Sequence, residues 1–290
     1  MSTPRFLDLP PVVRRTSLRT ERGSFAVLEA LPVGEPERCP ALLVPGFTGS
    51  KEDFLGVLQT LTGGGRRVVA VDMRGQYQSE GSPQDPAAYG IPALGADVDA
   101  LVELMGPNPV HLVGHSFGGL VTRETVLADP TGIASFTLMS SGPSAVTGPS
   151  ALRAGALREA LATLTMAEIF ELKIGPDALA AGHPAEIVEF LRERSVGNCP
   201  QGLIGMAGEL LSAVDRVDEL AKVADDADLP IMVLCGEDDD VWDPRVQAAM
   251  ADRLDASRVV IPGAAHSPAW DAPETTAHAL TDFWNAAERR

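Results

Sequence analysis

The sequence predicts an α/β fold: a mostly parallel sheet flanked by helices, with a helical unit inserted into it. Three observations carry this. Short apolar runs recur along the 290 residues with helical patterns between them. The runs are apolar throughout rather than alternating with polar residues, as strands covered on both faces are. The alternation lapses once, over a long stretch, and then resumes. At this length one large α/β domain with an insertion satisfies the size prior as well as two domains do.

Each element follows from local pattern. Residues 12–20 and 24–31 read as an antiparallel opening pair. Residues 42–44 follow Pro40 and end at Pro45-Gly46, and residues 68–71 end at Asp72. Residues 110–113 end at Gly114, and 136–139 end at Ser140-Ser-Gly142. Residues 231–235 end at Gly236, and 259–261 end at Pro262-Gly263. Between about 141 and 228 only helices are predicted. Residues 152–164, 185–194 and 203–214 carry apolar side chains at three-and-four spacing. Gly175-Pro176, Gly182-His-Pro184 and Gly197-Asn198 punctuate them.

Composition narrows the function. The formal net charge is −17, and most of the acidic excess lies after residue 145. Such a surface repels phosphate backbones and anionic headgroups, so neither nucleic acid nor a membrane surface is an expected partner. No apolar run reaches 18 residues, the length that suggests a transmembrane helix. Pro4, Pro10, Pro11, Arg14 and Arg15 interrupt the opening segment, which has no apolar core of the signal-peptide kind. The expectation is a soluble cytoplasmic protein without membrane insertion. Cys39, Cys199 and Cys235 are odd in number and far apart, so they predict neither a disulfide framework nor a metal site.

The chemistry concentrates at strand ends. Gly114-His-Ser-Phe-Gly118 matches G-x-S-x-G between a predicted strand and a predicted helix over 120–128. Such a turn lifts the Ser116 hydroxyl clear of the sheet's carboxyl edge, and glycine on both sides removes Cβ atoms that would collide. A serine nucleophile needs a base. Of five histidines, His111 lies in a buried strand and His115 points away from the Ser116 hydroxyl. His183 sits in the helical stretch and His278 on the terminal helix. His266 follows the last strand on a loop at the carboxyl edge, and is the expected base. Glu237, Asp238, Asp239 and Asp240 offer four carboxylates to orient it. An oxyanion needs two backbone N–H donors. Phe117 supplies one. The loop after residues 42–44 supplies the other through Phe47, since Pro45 has no N–H and Gly46 lets the backbone turn inward.

Together these residues resemble the α/β-hydrolase family, in its serine esterase and lipase-like branch. The likeness covers Pro45-Gly-Phe-Thr-Gly-Ser-Lys-Glu-Asp-Phe54 as oxyanion loop and Asp72-Met-Arg-Gly-Gln-Tyr-Gln-Ser79 as the next strand-end loop. It continues through the Ser116 elbow, the acid loop at 236–240 and Gly263-Ala-Ala-His266. The resemblance implies a core of residues 1–140 and 229–290 carrying a helical cap, 141–228, between the sixth and seventh strands. The family pattern sets the acid three residues after the glycine, selecting Asp239, with Asp238 and Asp240 next in line. The chain departs from the family at Pro45, where His is usual, and at Tyr77, where a second glycine is common. Tyr77 either narrows the site entrance or packs beneath the cap.

What the resemblance implies is a serine hydrolase of a small acyl substrate (an ester, thioester or lactone) with no metal or organic cofactor. Dehalogenases and epoxide hydrolases of this fold use an aspartate nucleophile, against which Ser116 speaks. Proline iminopeptidases carry a Gly-Gly-Pro-Gly oxyanion loop, absent here. A cofactor-free perhydrolase, a carbon–carbon bond hydrolase, or a ligand receptor that turns over slowly or not at all are the alternatives.

Overall fold

The structure, a computed structural model, describes residues 2–290. One eight-stranded sheet runs β1 (Val13–Thr20), β2 (Gly23–Ala30), β3 (Ala41–Val44), β4 (Val68–Val71), β5 (Val110–His115), β6 (Ile133–Met139), β7 (Ile231–Gly236) and β8 (Ser257–Ile261) in chain order. Its spatial order is β1-β2-β4-β3-β5-β6-β7-β8. The first two strands pair antiparallel, β2 joins β4 antiparallel, and the other pairs are parallel.

Helices α1 (Leu55–Thr62), α2 (Ile91–Glu103) and α3 (Phe117–Ala128) connect the early strands. Between β6 and β7 come α4 (Gly148–Ala160), α5 (Met166–Ile169), α6 (Gly175–Ala180), α7 (Ala185–Gly197), α8 (Pro200–Ser212) and α9 (Val217–Asp226). Then follow α10 (Pro244–Arg253), α11 (Pro268–Asp271) and α12 (Pro273–Ala287).

The period of two along the strands builds two cores. Leu42, Val44, Val69, Val71 and Leu112 face α2 and α3, whereas Leu43, Val68, Ala70 and Val113 face α1 and α12. Both faces are covered, which is why these strands carry no polar alternation. The chain places β4 on one side of β3 and β5 on the other. The carboxyl ends of β3 and β5 therefore diverge at a topological switch point, the place where open α/β sheets bind ligands. Among non-glycine residues, Thr48 (φ 59°), Tyr77 (φ 39°), Ser116 (φ 55°) and Ser140 (φ 46°) lie in the left-handed region, and they follow β3, β4, β5 and β6 in turn.

The helical stretch differs in detail from its pattern. Gly175-Pro176, which reads as punctuation, instead lies within a continuous helical run: a wide i→i+5 turn over Phe170–Ile174, closed by the Gly175 N–H donating to the Phe170 carbonyl, leads directly into α6. The predicted helix over 152–164 starts four residues earlier, with Leu152 left exposed. The stretch also contains α9, whose Val217, Leu220 and Ala224 belong to the core beneath the sheet and which packs on α3 and α10.

Candidate active site

The elbow is set by close approach of backbones. A Cβ at Gly118 would lie 2.4 Å from the Pro45 carbonyl oxygen, and one at Gly114 would lie 2.2 Å from Thr122 Oγ1. Side chains at either position would push α3 off β3 and β5. Between them Ser116 adopts φ 55°, ψ −122°, a strained arrangement for a side chain-bearing residue costing on the order of 1–3 kcal/mol.

Ser116, His266 and Asp239 come together from three strand ends. Ser116 Oγ lies 2.9 Å from His266 Nε2, and His266 Nδ1 lies 2.9 Å from Asp239 Oδ1. A carboxylate accepts only, so His266 carries its proton on Nδ1 and its Nε2 accepts from the serine hydroxyl. Asp239 is buried, while Glu237, Asp238 and Asp240 are exposed. Glu237 accepts from the Gly263 N–H, and Asp240 pairs with Arg153 at 3.4 Å. The Asp239 carboxylate also accepts from the Val241 N–H (2.9 Å) and the Gln247 side-chain amide (2.9 Å). Burial pushes its carboxyl up, but the hydrogen bonds from His266, Val241 and Gln247 outweigh burial and hold it below the ordinary range. His183 is half-buried in the helical stretch, and His278 is exposed on α12.

The loop after β3 is a turn closed by the Gly49 N–H donating to the Gly46 carbonyl at 3.0 Å. A Cβ at Gly46 would stand 2.9 Å from Ser116 Cβ, so glycine there admits the loop to the serine. Phe47 follows at once. Phe117 opens α3, where a helical N–H has no partner within its own helix. Gln76, which the motif reading passes over, is buried and donates its amide to the Gly46 carbonyl at 2.8 Å. Its own oxygen accepts from the Met73 N–H at 3.2 Å. Its only sequence signal is its place in the strand-end loop 72–79.

Beneath this loop Asp72 accepts from the Lys51 N–H (2.7 Å) and the Lys51 ammonium (2.8 Å), both buried. Desolvation pushes the Asp72 carboxyl up against the pull of Lys51. The Lys51 ammonium stands 4.6 Å from the centre of the Tyr77 ring, which packs edge-on against Phe190 of α7. Tyr77 is half-buried: it packs against α7 and, with Leu7, Arg15, Glu186 and Phe190, lines a pocket at the surface.

His115 joins the site from behind. Its Nε2–H donates to the His266 carbonyl at 2.7 Å, and its ring centre lies 5.0 Å from that of His266. Burial holds it neutral, with its pKa pushed down to about 3. At the opposite edge of the sheet, Cys39, His111 and Glu288 bring ligand-type atoms within 4.8 Å of one another. Glu288 is taken up there by His111 (3.0 Å) and the buried Arg66 (3.2 Å), and His111 Nδ1 meets Ser135 Oγ. A guanidinium against the sole carboxylate opposes a cation, and the group serves as a clamp on the chain's last helix.

Known proteins resemble this chain in sequence and in fold. Over 274 residues the chain is 26% identical to the monoacylglycerol lipase abhd6-B of Xenopus laevis, covering 88% of this chain and 78% of that one. It is 34% identical over 119 residues to the proline iminopeptidase of Lactobacillus delbrueckii subsp. lactis. That match spans 39% of this chain and only 40% of the relative's length. In structure it resembles a thermophilic esterase from Thermogutta terrifontis, with a TM-score of 0.72 at 23% identity over 94% of this chain and 99% of that one. At that identity the likeness is one of fold. The family profile itself runs over residues 41–279, from β3 into α12, and takes in every strand-end loop described above: the chain belongs to the alpha/beta hydrolase family.

Proposed function

We propose that the protein is a serine hydrolase that cleaves a carboxylic ester, or a thioester or lactone, through an acyl-enzyme. The observation that carries this is the relay of two 2.9 Å contacts from Ser116 through His266 to Asp239, starting on a strained elbow. Ser116 Oγ attacks the acyl carbon while His266 Nε2 takes its proton. Asp239 keeps the imidazole in the required tautomer and stabilises the imidazolium. The N–H groups of Phe47 and Phe117 receive the oxyanion. His266 then protonates the leaving group, and water activated by the same imidazole releases the acid.

In this reading the helices α4 to α8 of the stretch 141–228 act as a cap that selects the acyl group, while α9 belongs to the core. Phe47 is half-buried against a cluster of Met166, Ile169 and Leu203 from α5 and α8, which joins the oxyanion loop to an apolar wall. Apolar acyl chains suit that wall.

The test is covalent labelling. A fluorophosphonate probe should modify Ser116, and Ser116→Ala should lower kcat on p-nitrophenyl acetate by roughly 10⁴–10⁶ with the fold retained. Probe attached to another serine, or full activity of the alanine variant, would overturn the mechanism.

A further inference from the structure

We propose that Arg194 is a positioning residue, an ionic latch through which helix α7 holds the oxyanion turn in its working place. The proposal rests on the serine hydrolase reading above.

Arg194 sits near the end of α7 with no exposed surface. Its Nη1 donates to Asp53 Oδ1 at 3.0 Å and its Nη2 donates to the Ser2 carbonyl at 2.8 Å. Asp53 belongs to the 3-10 turn Lys51–Phe54 that leaves the oxyanion loop, and its N–H donates to the Ser50 carbonyl at 2.9 Å. The other carboxylate oxygen, Oδ2, lies 2.4 Å from where a Cβ on Gly49 would stand. That oxygen therefore rests against the residue whose N–H closes the turn on Gly46, with Phe47 between them. A displacement of Asp53 is a displacement of the turn that presents the Phe47 N–H.

The same guanidinium reaches the base loop indirectly. Ser2, whose carbonyl it holds, meets Ser267 through their hydroxyls at 2.8 Å, one residue beyond His266. Asn198 fastens the end of α7 a second time: its amide donates to the Arg194 carbonyl at 2.7 Å, and its oxygen accepts from the Tyr77 N–H at 3.4 Å.

Stability alone is a poor reason for such a pair. Stripping water from both ions costs several kcal/mol each, and well-packed apolar residues often do as well or better. What an apolar contact lacks is direction. The guanidinium fork fixes two oxygens at set angles, and oxyanion donors lose effect steeply when displaced by about 1 Å.

The experiment compares the full chain with Arg194→Met, Asp53→Asn and the double variant. The readouts are kcat and KM on p-nitrophenyl acetate, affinity for an alkyl trifluoromethyl ketone, and thermal unfolding. The ketone forms a tetrahedral adduct and so reports on the oxyanion donors directly. Each single variant should lose about tenfold or more in kcat, and a similar factor in ketone affinity, with KM within about threefold. The double variant should be no worse than the poorer single one, because both remove one link. A scaffold role would lower the unfolding temperature and leave kcat and ketone affinity of the folded enzyme within twofold; that result would overturn the latch. If Arg194→Met does not fold, the near-isosteric Asp53→Asn decides by the same readouts. Fluorophosphonate labelling and turnover of the unmutated chain separate the two failures: their absence sinks the hydrolase reading and the latch together, and their presence with unchanged variants sinks the latch alone.

Discussion

Replacing Asp239 by asparagine is the sharpest probe of the relay, because the local hydrogen bonds constrain what the amide can do. Asp239 Oδ1 accepts from both His266 and the Val241 N–H, and Oδ2 accepts from the Gln247 amide. With the asparagine oxygen toward His266, the new NH₂ faces the NH₂ of Gln247. Gln247 can turn over, since its own oxygen is buried without a partner, but it then withdraws its donor from the Trp242 carbonyl at 2.9 Å. With the asparagine reversed, its NH₂ faces the Val241 N–H and forces His266 into the tautomer that cannot accept from Ser116. In the first arrangement the tautomer survives and only the charge is lost. A unit charge about 4 Å from an imidazolium is worth about 4 kcal/mol at an effective dielectric near 20, or roughly 10³ in rate. In the second arrangement the tautomer is lost as well, and the corresponding change in another serine hydrolase costs about 10⁴. We expect kcat on p-nitrophenyl acetate to fall by about 10³–10⁴, with thermal unfolding showing the variant folded. Asp238→Asn and Asp240→Asn, on exposed side chains, should keep near-normal kcat. A folded Asp239→Asn enzyme within tenfold of normal would refute the assignment of Asp239 as the orienting acid.

Three further outcomes follow from the same contacts. Gln76→Leu removes the hydrogen bond that the side-chain amide donates to the Gly46 carbonyl and should lower kcat by about tenfold to a hundredfold while barely moving KM, measured by steady-state hydrolysis. His115 is neutral when folded, with a pKa near 3, so below the ordinary histidine pKa of about 6.5 the unfolded chain takes up a proton that the folded one refuses. Stability therefore falls as pH drops from about 6.5 toward 3. His115→Gln should flatten this part of the profile in urea unfolding at stepped pH, and an unchanged slope would contradict the buried neutral ring. Glu288 has the sign of a paired carboxylate: burial pushes it up, but His111, Arg66 and Arg38 bring it down to about 2. Its contribution is complete above the ordinary glutamate pKa and lost as pH falls toward 2, so Glu288→Gln should destabilise at pH 7 and converge with the parent near pH 2.

Much of the fold is legible because the sheet is covered on both faces. Runs such as 68–71 and 231–235 are apolar end to end, and each stops at a residue that starts a turn. The helices between β6 and β7 are less so. In α4 Leu152 stays exposed, so the apolar spacing there misplaces the buried face, whereas in α7 and α8 the spaced residues Ile187, Phe190, Leu191, Leu203, Met206 and Leu210 are buried. At the site, Ser116 and His266 stand out because their loops have patterns of their own. Four adjacent carboxylates have none; only the resemblance singles out Asp239, and the groups that donate to it, the Val241 N–H and the Gln247 amide, come from the following segment. Gln76, His115, Asp53 and Arg194 are invisible for a different reason. Each acts on a residue 30 to 151 positions away in the sequence, and no local pattern records such a meeting.

The four left-handed residues after β3 to β6 have a consequence for how the molecule tolerates change. Two other non-glycine residues share that backbone conformation, Asp228 and Asp255, and they precede β7 and β8 at the opposite edge. The two edges are therefore unlike as material for engineering. At Asp228 and Asp255 a glycine would relieve local strain without approaching Ser116, so these are places to look for gains in heat resistance. At Thr48, Tyr77 and Ser140 the same relief would loosen loops at the strand ends around Ser116. A sequence drifting toward greater robustness has freedom at one rim of the sheet and little at the other, and homologues adapted to heat should differ first where the chain enters its strands.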